Sequence, residues 1–175
     1  MDTEQSDSPL RGQQADPPGS SAMLTIRPYQ AADKEAVWRL HNEALAGTGA
    51  HAGNGPWDAD LHDIPTHYTQ TGGVFLVGEV AGSLVVMGAL QRLDSTTAQV
   101  KRMRVAPACQ RRGYGTAMLT ALEQTGRRLG IQRFVLDTTD IQLAAQRLYT
   151  KQGYRETGRG KLGRFNVIYY EKRFP

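Results

Sequence analysis

The chain has 175 residues, 39% of them hydrophobic, which is enough for one domain and too few for two ordinary ones. Lys and Arg outnumber Asp and Glu by 21 to 17, giving a net charge of +4 and a sequence pI near 9.4. This balance favours an anionic partner without identifying it. The basic residues cluster loosely, without the aromatic interleaving of a base-stacking platform, so we expect a local phosphate site and no nucleic-acid partner.

Cysteine, hydropathy and histidine patterns exclude several further classes. The single cysteine, Cys109, excludes an internal disulfide framework and a cysteine-based zinc site, and it favours the cytoplasm. No run of about 18 apolar residues and no signal-like N-terminus is present, so we expect no membrane partner. His41, His51, His62 and His67 lack the spacing His-x-x-x-His, and we predict no metal.

Two domain ranges are predicted from composition. Residues 1–22 are rich in Ser, Asp, Gln, Gly and Pro, with Leu10 the only large aliphatic residue after Met1, and we expect a disordered tail. The strand-like pattern LTIRPY follows Met23 directly. Residues 23–175 are therefore predicted to form the folded domain.

The element order in that domain predicts its fold class. After the first strand come a helix that Asp33 would cap and a second helix from Asp58 to Thr71. VFLVGEV, LVVMGALQRL and AQVKRMRV then alternate as an antiparallel meander. A helix after Gly113, the strand RFVLDTT, a helix over Gln142–Gln152, a turn region over Gly158–Gly163 and the closing strand FNVIYYEKRF complete the series. We expect an α/β (α+β) fold with a mixed, mostly antiparallel sheet of about seven strands and helices on both faces.

The segment VAPACQRRGYGTAM is the main candidate for a binding site. A strand ends at a proline, and a loop containing Gly113 and Gly115 opens a helix. The first N–H groups of a helix lack partners and lie at the positive end of its dipole, so they favour a bound phosphate. Arg111 and Arg112 add positive charge. Taken alone, such a loop is explained equally well as a structural turn.

A resemblance to a known family decides between these interpretations. The segment KRMRVAPACQRRGYGTAML resembles the coenzyme-binding motif of the GNAT N-acetyltransferases, Gln/Arg-x-x-Gly-x-Gly/Ala, and Gln110, Gly113 and Gly115 match it. The family's downstream pattern Ala-x-x-Leu-Tyr-x-Lys-x-Gly-Phe/Tyr is matched by Ala145, Leu148, Tyr149, Lys151, Gly153 and Tyr154. The likeness covers residues 24–175.

The resemblance implies acetyl-coenzyme A as co-substrate, no metal, and direct transfer of the acetyl group to a primary amine. In the family, the strand before the loop splays from its neighbour and binds the pantetheine arm through its backbone, a role that would fall to Met103, Arg104 and Val105. The other cofactor-binding residues implied are Gln110, Arg111, Arg112, Gly113, Tyr114, Gly115, Thr116, Gln142 and Lys151. Gln142 departs from the family, which often has Asn there.

The resemblance also implies that Tyr149 donates a proton to the departing thiolate, although a core tyrosine is the alternative interpretation. Family members often place a basic Glu where this chain has Gln99, and glutamine cannot accept the proton of an amine. Asp137, Glu79, a water chain or an amine that arrives neutral remain open as substitutes.

The acceptor is predicted to be a small-molecule amine that binds near the first two helices and the far sheet edge. Asp58, Asp60 and Asp63 could bind a cationic amine and Trp57 could stack on it, although the helix dipole explains these carboxylates equally well. A protein or peptide amine is the alternative acceptor, and a non-catalytic acyl-coenzyme A sensor is a more distant alternative. A homodimer is left open as the assembly.

Overall fold

The computed structural model describes residues 23–46, 48, 49 and 53–175. The predicted tail, residues 1–22, and His51 lie outside these ranges. In chain order, the helices and strands are β1 Thr25–Pro28, α1 Lys34–Leu45, α2 Ala59–His62, α3 Ile64–His67, β2 Val74–Val80, β3 Ser83–Arg92, β4 Thr97–Val105, α4 Tyr114–Arg128, β5 Arg133–Thr139, α5 Leu143–Lys151, β6 Arg155–Leu162 and β7 Phe165–Arg173.

All seven strands belong to one sheet in the order β1-β2-β3-β4-β5-β7-β6. Every neighbouring pair is antiparallel except β4 and β5, which run parallel. Parallel neighbours need a crossover connection, and α4 supplies it. The predicted mixed, mostly antiparallel sheet is therefore confirmed.

Helices cover both faces of the sheet, and each face has its own hydrophobic core. On one face α4 and α5 pack on the strands through Met118, Leu122 and Tyr149, together with Phe134 of β5. On the other face α1 and the short helices α2 and α3 pack through buried residues that include Val37, Leu40, Leu61, Ile64 and Tyr68. Within each helical segment these residues repeat at helical spacing, and this spacing is the basis on which the sequence predicts helices there.

Three local predictions were wrong, wholly or in part. The second predicted helix is broken into single turns at Asp63, whose φ is −142°, because Pro65 has no N–H to donate to the carbonyl of Leu61 four residues earlier and its ring would clash with that carbonyl. Asp33 does occupy the N-cap position of α1, but its side chain makes no capping hydrogen bond there; its carboxylate instead accepts hydrogen bonds from Arg27 and from the backbone N–H of Gln30. The predicted turn region Gly158–Gly163 lies largely in β6.

The sheet opens at its centre, between β4 and β5. The two strands pair only at Thr97–Arg133, Ala98–Phe134 and Gln99–Val135. Beyond these pairs β4 continues to Val105 and β5 to Thr139 without pairing to each other. Each segment still pairs with its other neighbour, β3 or β7, so the backbone groups on the two facing edges are left available to a ligand.

A β-bulge lies in β4 at this opening. Met87 pairs with Arg104 and Ala89 with Lys101, so Gly88 faces two residues, Arg102 and Met103. A Cβ on Gly88 would lie 2.7 Å from the Met103 sulfur and 2.8 Å from Leu122 Cδ1, so any other residue there would force these side chains to shift. The backbone of Arg102 takes a left-handed φ of +55° at the bulge.

The bulge directs the Arg102 side chain into a buried ionic cluster on the α1 face. Its guanidinium bonds both carboxylate oxygens of Asp60 and, at 3.0 Å, the Oδ1 of Asp58. His41 Nε2 lies 3.3 Å from the same Asp58 oxygen, and the Tyr68 hydroxyl donates to Asp60. Burial alone would raise the pKa of Asp60, but the bonds from Arg102 and Tyr68 outweigh burial and hold that pKa below its ordinary value.

Replacing Arg102 should therefore destabilise the fold strongly. We expect Arg102→Gln to lower the free energy of unfolding by about 3 kcal/mol or more, because it leaves two buried carboxylates without their cation. Urea unfolding followed by circular dichroism measures the change. Arg159→Gln is the matched control, because Arg159 forms an exposed ion pair with Glu156 on β6. A loss no larger than that of the control would contradict the structural role of Arg102.

Candidate active site

A cleft of about 800 Å³ lies where β4 and β5 diverge. This volume is within the usual range for small-molecule sites. One wall is Gln99–Arg104 of β4, and the opposite wall is Asp137–Thr139 of β5 with Gln142, Ala145 and Tyr149. His41, Leu45 and Trp57 contribute from the α1 side, and Leu162–Phe165 from the turn between β6 and β7.

Tyr149 is buried on α5 and lines the cleft. Its ring packs edge-on against Tyr154, with 5.8 Å between centroids. Burial raises the pKa of its hydroxyl to about 12, with the charge of Arg104 lowering that pKa and the charge of Asp137 raising it. Tyr149 is therefore protonated at neutral pH and sits within electrostatic range of both charged groups.

Arg104 lines the same cleft from β4. Sequence reasoning used only its backbone and missed its side chain. Its Nη1 donates to the Met103 carbonyl at 2.8 Å, and its Nε is buried without a partner among the described residues. Burial, together with the neighbouring charge of Arg102, lowers the pKa of Arg104 to about 10. The group is still cationic at neutral pH.

Of the two carboxylates that could act as the general base, one lies in the cleft and the other lies outside it. Asp137 lies in the cleft, and its Oδ1 accepts a hydrogen bond of 2.9 Å from Gln99 Nε2. Glu79 lies on β2, where it binds Arg27 of β1, and it is not among the cleft-lining residues. The cleft therefore brings together Asp137, Gln99 and Tyr149, but not Glu79.

Gln142 and Lys151, which the resemblance also implies as cofactor-binding residues, lie at opposite ends of α5. Only Gln142 lines the cleft. Gln142 lines the cleft, and its amide oxygen accepts hydrogen bonds from the Thr138 hydroxyl and the Thr139 N–H at 2.9 and 3.3 Å. It can offer a ligand its NH₂ group. Lys151 lies exposed in the last turn of α5 and does not line the cleft.

The predicted phosphate loop directly follows β4 and leads into α4. Gly113 precedes the helix with a left-handed φ of +81°, and no side-chain cap is formed there among the described residues. The loop residues Gln110, Arg111 and Arg112 are exposed, whereas Tyr114 and Thr116 are half-buried in the first helical turn. The uncapped N–H groups at this turn are free to bind an anion beyond the end of Val105.

The acidic residues that the sequence suggested for binding a cationic amine have partners within the protein. Asp58 and Asp60 are buried and bound to Arg102, and Asp63 accepts from the backbone N–H of Thr66. Trp57 is 59% exposed and donates its indole N–H to the Gly53 carbonyl. The cleft keeps Asp137 as an exposed carboxylate.

The described residues form neither a metal-binding cluster nor a membrane-spanning helix. They contain no cluster of three or more His, Cys, Asp or Glu residues that could hold a metal ion. Within the same residues, every helix is too short or too polar to span a lipid bilayer.

Comparison with known proteins agrees with this geometry. A sequence profile described as the acetyltransferase (GNAT) family matches residues 29–154, which include β4, the loop, α4 and all of α5 with Tyr149. The chain belongs to the acetyltransferase (GNAT) family. Human N-acetyltransferase 8 is 31% identical over 105 residues, which are 57% of this chain and 46% of that protein. The chain thus spans about half the length of the curated relatives it matches.

Solved structures of the GNAT family share the fold. An acetyltransferase of this family from Staphylococcus aureus has a TM-score of 0.79 at 23% identity, covering 86% of this chain and 99% of its own. The acetyltransferase yncA from Salmonella typhimurium, solved with its cofactor acetyl-CoA, has a TM-score of 0.73 at 24% identity, covering 87% and 94%. At these identities the likeness establishes the fold alone.

The two loop glycines should respond oppositely to alanine. Gly113→Ala places a Cβ at φ +81°, and we expect a loss of about 1 kcal/mol or more of unfolding free energy. Gly115→Ala should be neutral or stabilise by about 0.5 kcal/mol, because its Cβ would lie at ordinary contact distances of 3.4 Å from Leu148 and 3.6 Å from Val105, inside a helix. Thermal or urea unfolding of both variants measures this, and equal losses would contradict it.

Proposed function

We propose that this protein is an acetyl-CoA-dependent N-acetyltransferase that acetylates a primary amine of a small molecule. The observation that carries the proposal is the cleft between β4 and β5, which is lined by the buried Tyr149, by Asp137 and by the stretch of β4 that no longer pairs with β5. Family membership supports the same activity.

The donor side of the proposal rests on β4 and the loop that follows it. The segment that contains Met103, Arg104 and Val105 pairs with β3 but not with β5, so its β5-facing edge offers backbone groups to the two amides of a pantetheine arm. From there the arm would lead out to the uncapped start of α4, where Arg111 and Arg112 supply positive charge for the pyrophosphate. The amide NH₂ of Gln142 can add one hydrogen bond to the arm.

The chemistry needs two proton transfers. The nitrogen lone pair of the amine forms the new bond to the thioester carbon, and the carbon–sulfur bond breaks. Asp137, which is held in place by a hydrogen bond from Gln99, accepts the proton that the amine loses. Tyr149 gives its proton to the departing thiolate. Because burial raises the pKa of Tyr149, the hydroxyl keeps this proton until the thiolate leaves. No covalent bond to the protein forms.

A small acceptor fits the shape of the site. The cleft volume suits a ligand of that class. The turn Leu162–Phe165 and the α1 side line it in addition to the two strands, which narrows the space for an extended peptide. The cytoplasmic location and the homodimer stay predictions from the sequence.

Free-thiol release is the test of this function. Purified protein with acetyl-CoA should release coenzyme A thiol in the presence of at least one amine among polyamines, amino acids, aminoglycosides and peptides. Product mass analysis should show one added acetyl group on the amine. Binding of acetyl-CoA with no thiol release in any mixture would favour the sensor, and turnover with peptides alone would favour the protein-directed enzyme.

Tyr149→Phe should lower kcat by about 100-fold while leaving the Kd for acetyl-CoA unchanged, since it removes only the proton donor. Tyr170→Phe is the matched control, because this buried ring lies 6.3 Å from that of Tyr149 and does not line the cleft. Equal turnover of Tyr149→Phe and the wild type would remove Tyr149 as the acid.

Asp137→Asn should lower kcat/KM by about 100-fold near pH 7 and by much less near pH 10, where an alkylamine loses its proton to solvent. In the wild type, the acid Tyr149 stays protonated up to about pH 12, so its titration should cause no fall in rate across this range. Asp140→Asn is the control, because Asp140 binds Asn166 outside the cleft. A deficit for Asp137→Asn that does not shrink with pH would rule out the base role.

A further inference from the structure

Arg104 is a cation in the cleft for which the proposed chemistry has no use. Arg27, Arg102 and Arg133 are other partly buried arginines of the sheet, and each is bound to at least one carboxylate. Arg104 forms no such ion pair with the described residues; its single hydrogen bond there goes to a backbone carbonyl. A guanidinium has five N–H donors, so most of its hydrogen-bonding capacity is left for a ligand.

The cost of this arrangement indicates that a ligand anion completes it. The Nε of Arg104 is buried without a partner among the described residues, which is unfavourable for a charged group. The neighbouring Arg102 does not compensate for this cost, because it is also a cation. The carboxylates nearby, Asp58 and Asp60, are already bound to Arg102 in the buried cluster. A planar guanidinium of this kind matches a carboxylate through two parallel hydrogen bonds.

Acetyl-CoA itself has no group that suits this position. Its anionic groups are phosphates, which the proposal places at the exposed start of α4, outside the cleft. The pantetheine arm and the thioester, which would occupy the cleft, are uncharged. The anion that meets Arg104 must therefore belong to the acceptor.

The opposite wall provides for the amine of the same molecule. Asp137 lies on β5 and Arg104 on β4, on either side of the opening in the sheet. Tyr149 is within electrostatic range of both, since Arg104 lowers its pKa and Asp137 raises it. An acceptor with an amine at Asp137 and an anion at Arg104 would thus have its nitrogen beside the proton donor.

We propose that Arg104 binds a carboxylate of the acceptor, so that the substrates are amino acids or similar compounds that carry both an amine and a carboxylate. This assignment rests on the proposed N-acetyltransferase function and narrows it. It replaces the expectation of a cationic acceptor, whose candidate partners Asp58 and Asp60 are bound to Arg102. Arg104 is then a specificity-determining residue, and the reaction it serves is unchanged.

Matched acceptor pairs test the assignment. Thiol release is measured with glycine, phenylalanine and lysine and with the corresponding amides, which keep the amine and lack the carboxylate. For the best pair, we expect the wild type to prefer the acid in kcat/KM by on the order of 100-fold, as for loss of a charge-assisted hydrogen bond. Amides have the more readily deprotonated amine, so this preference would oppose the intrinsic reactivity.

Two variants assign the preference to Arg104. Arg104→Gln should reduce the acid-to-amide ratio to a few-fold by raising KM for the acid, and Arg104→Lys should give an intermediate ratio. Arg159→Gln removes the same charge outside the cleft and should keep the wild-type ratio. The Kd for acetyl-CoA reports on folding of each variant; if Arg104→Gln does not fold, the wild-type ratio and Arg104→Lys decide.

The outcomes separate this inference from the function on which it rests. An acid-to-amide ratio near one in the wild type, or an unchanged ratio in the Arg104 variants, would overturn the carboxylate assignment and leave the enzyme in place. An equal loss of kcat for acids and amides would also overturn it, because Arg104 would then act on the thioester. No thiol release with any amine would overturn the proposed function, and the assignment with it.

Discussion

The ion pairs of Arg102 connect parts of the chain that are far apart in sequence. Its side chain reaches from the bulge in β4 to Asp58, directly before α2, and to Asp60 within α2, on the α1 face. Those carboxylates in turn bind His41 of α1 and Tyr68 after α3. Buried charges of this kind are stable only when every partner is in place, so the cluster fixes the bulge relative to the helices.

The candidate site depends on the course that β4 takes around this bulge. The strand pairs with β5 as far as Gln99 and then diverges, which opens the cleft. Gly88 makes room for the bulge on one side by lacking a Cβ, and Arg102 anchors it on the other. Arg104 and the loop before α4 follow directly, so their positions are set by the same irregularity.

Local features of this protein could be predicted from its sequence, whereas long-range pairings could not. The loop from Gln110 to Thr116 and the helix that contains Tyr149 are short segments with fixed spacing, and a resemblance identifies them directly. The bulge had one sequence signal, since an isolated glycine in a strand often marks one, and Gly88 stands inside β3. Which strand residue opposes Gly88 depends on register, which that signal does not specify.

The side-chain partners of the site were the least predictable part. Asp58, Asp60 and Asp63 look alike in sequence, at the start of a predicted helix, yet two bind a buried arginine and one caps a backbone N–H. The break before Pro65 could have been foreseen, because a proline inside a helix lacks the N–H that would donate to the carbonyl four residues earlier and clashes with that carbonyl. The isolation of Arg104 could not, because it depends on where the carboxylates of distant segments fall.

The replacement of the expected Glu by Gln99 has a physical explanation in the position of its neighbour. Gln99 and Asp137 lie on adjacent strands, with 2.9 Å between the Gln99 amide nitrogen and a carboxylate oxygen. A glutamate at Gln99 would bring two carboxylates to this distance, and such a pair cannot carry both charges without a large rise in one pKa. A glutamine instead donates a hydrogen bond to the single carboxylate and orients it. Under the proposed mechanism, the proton acceptor is Asp137 on β5, whereas family members often have it on β4. The residue at the β4 position, Gln99, instead holds Asp137 in place.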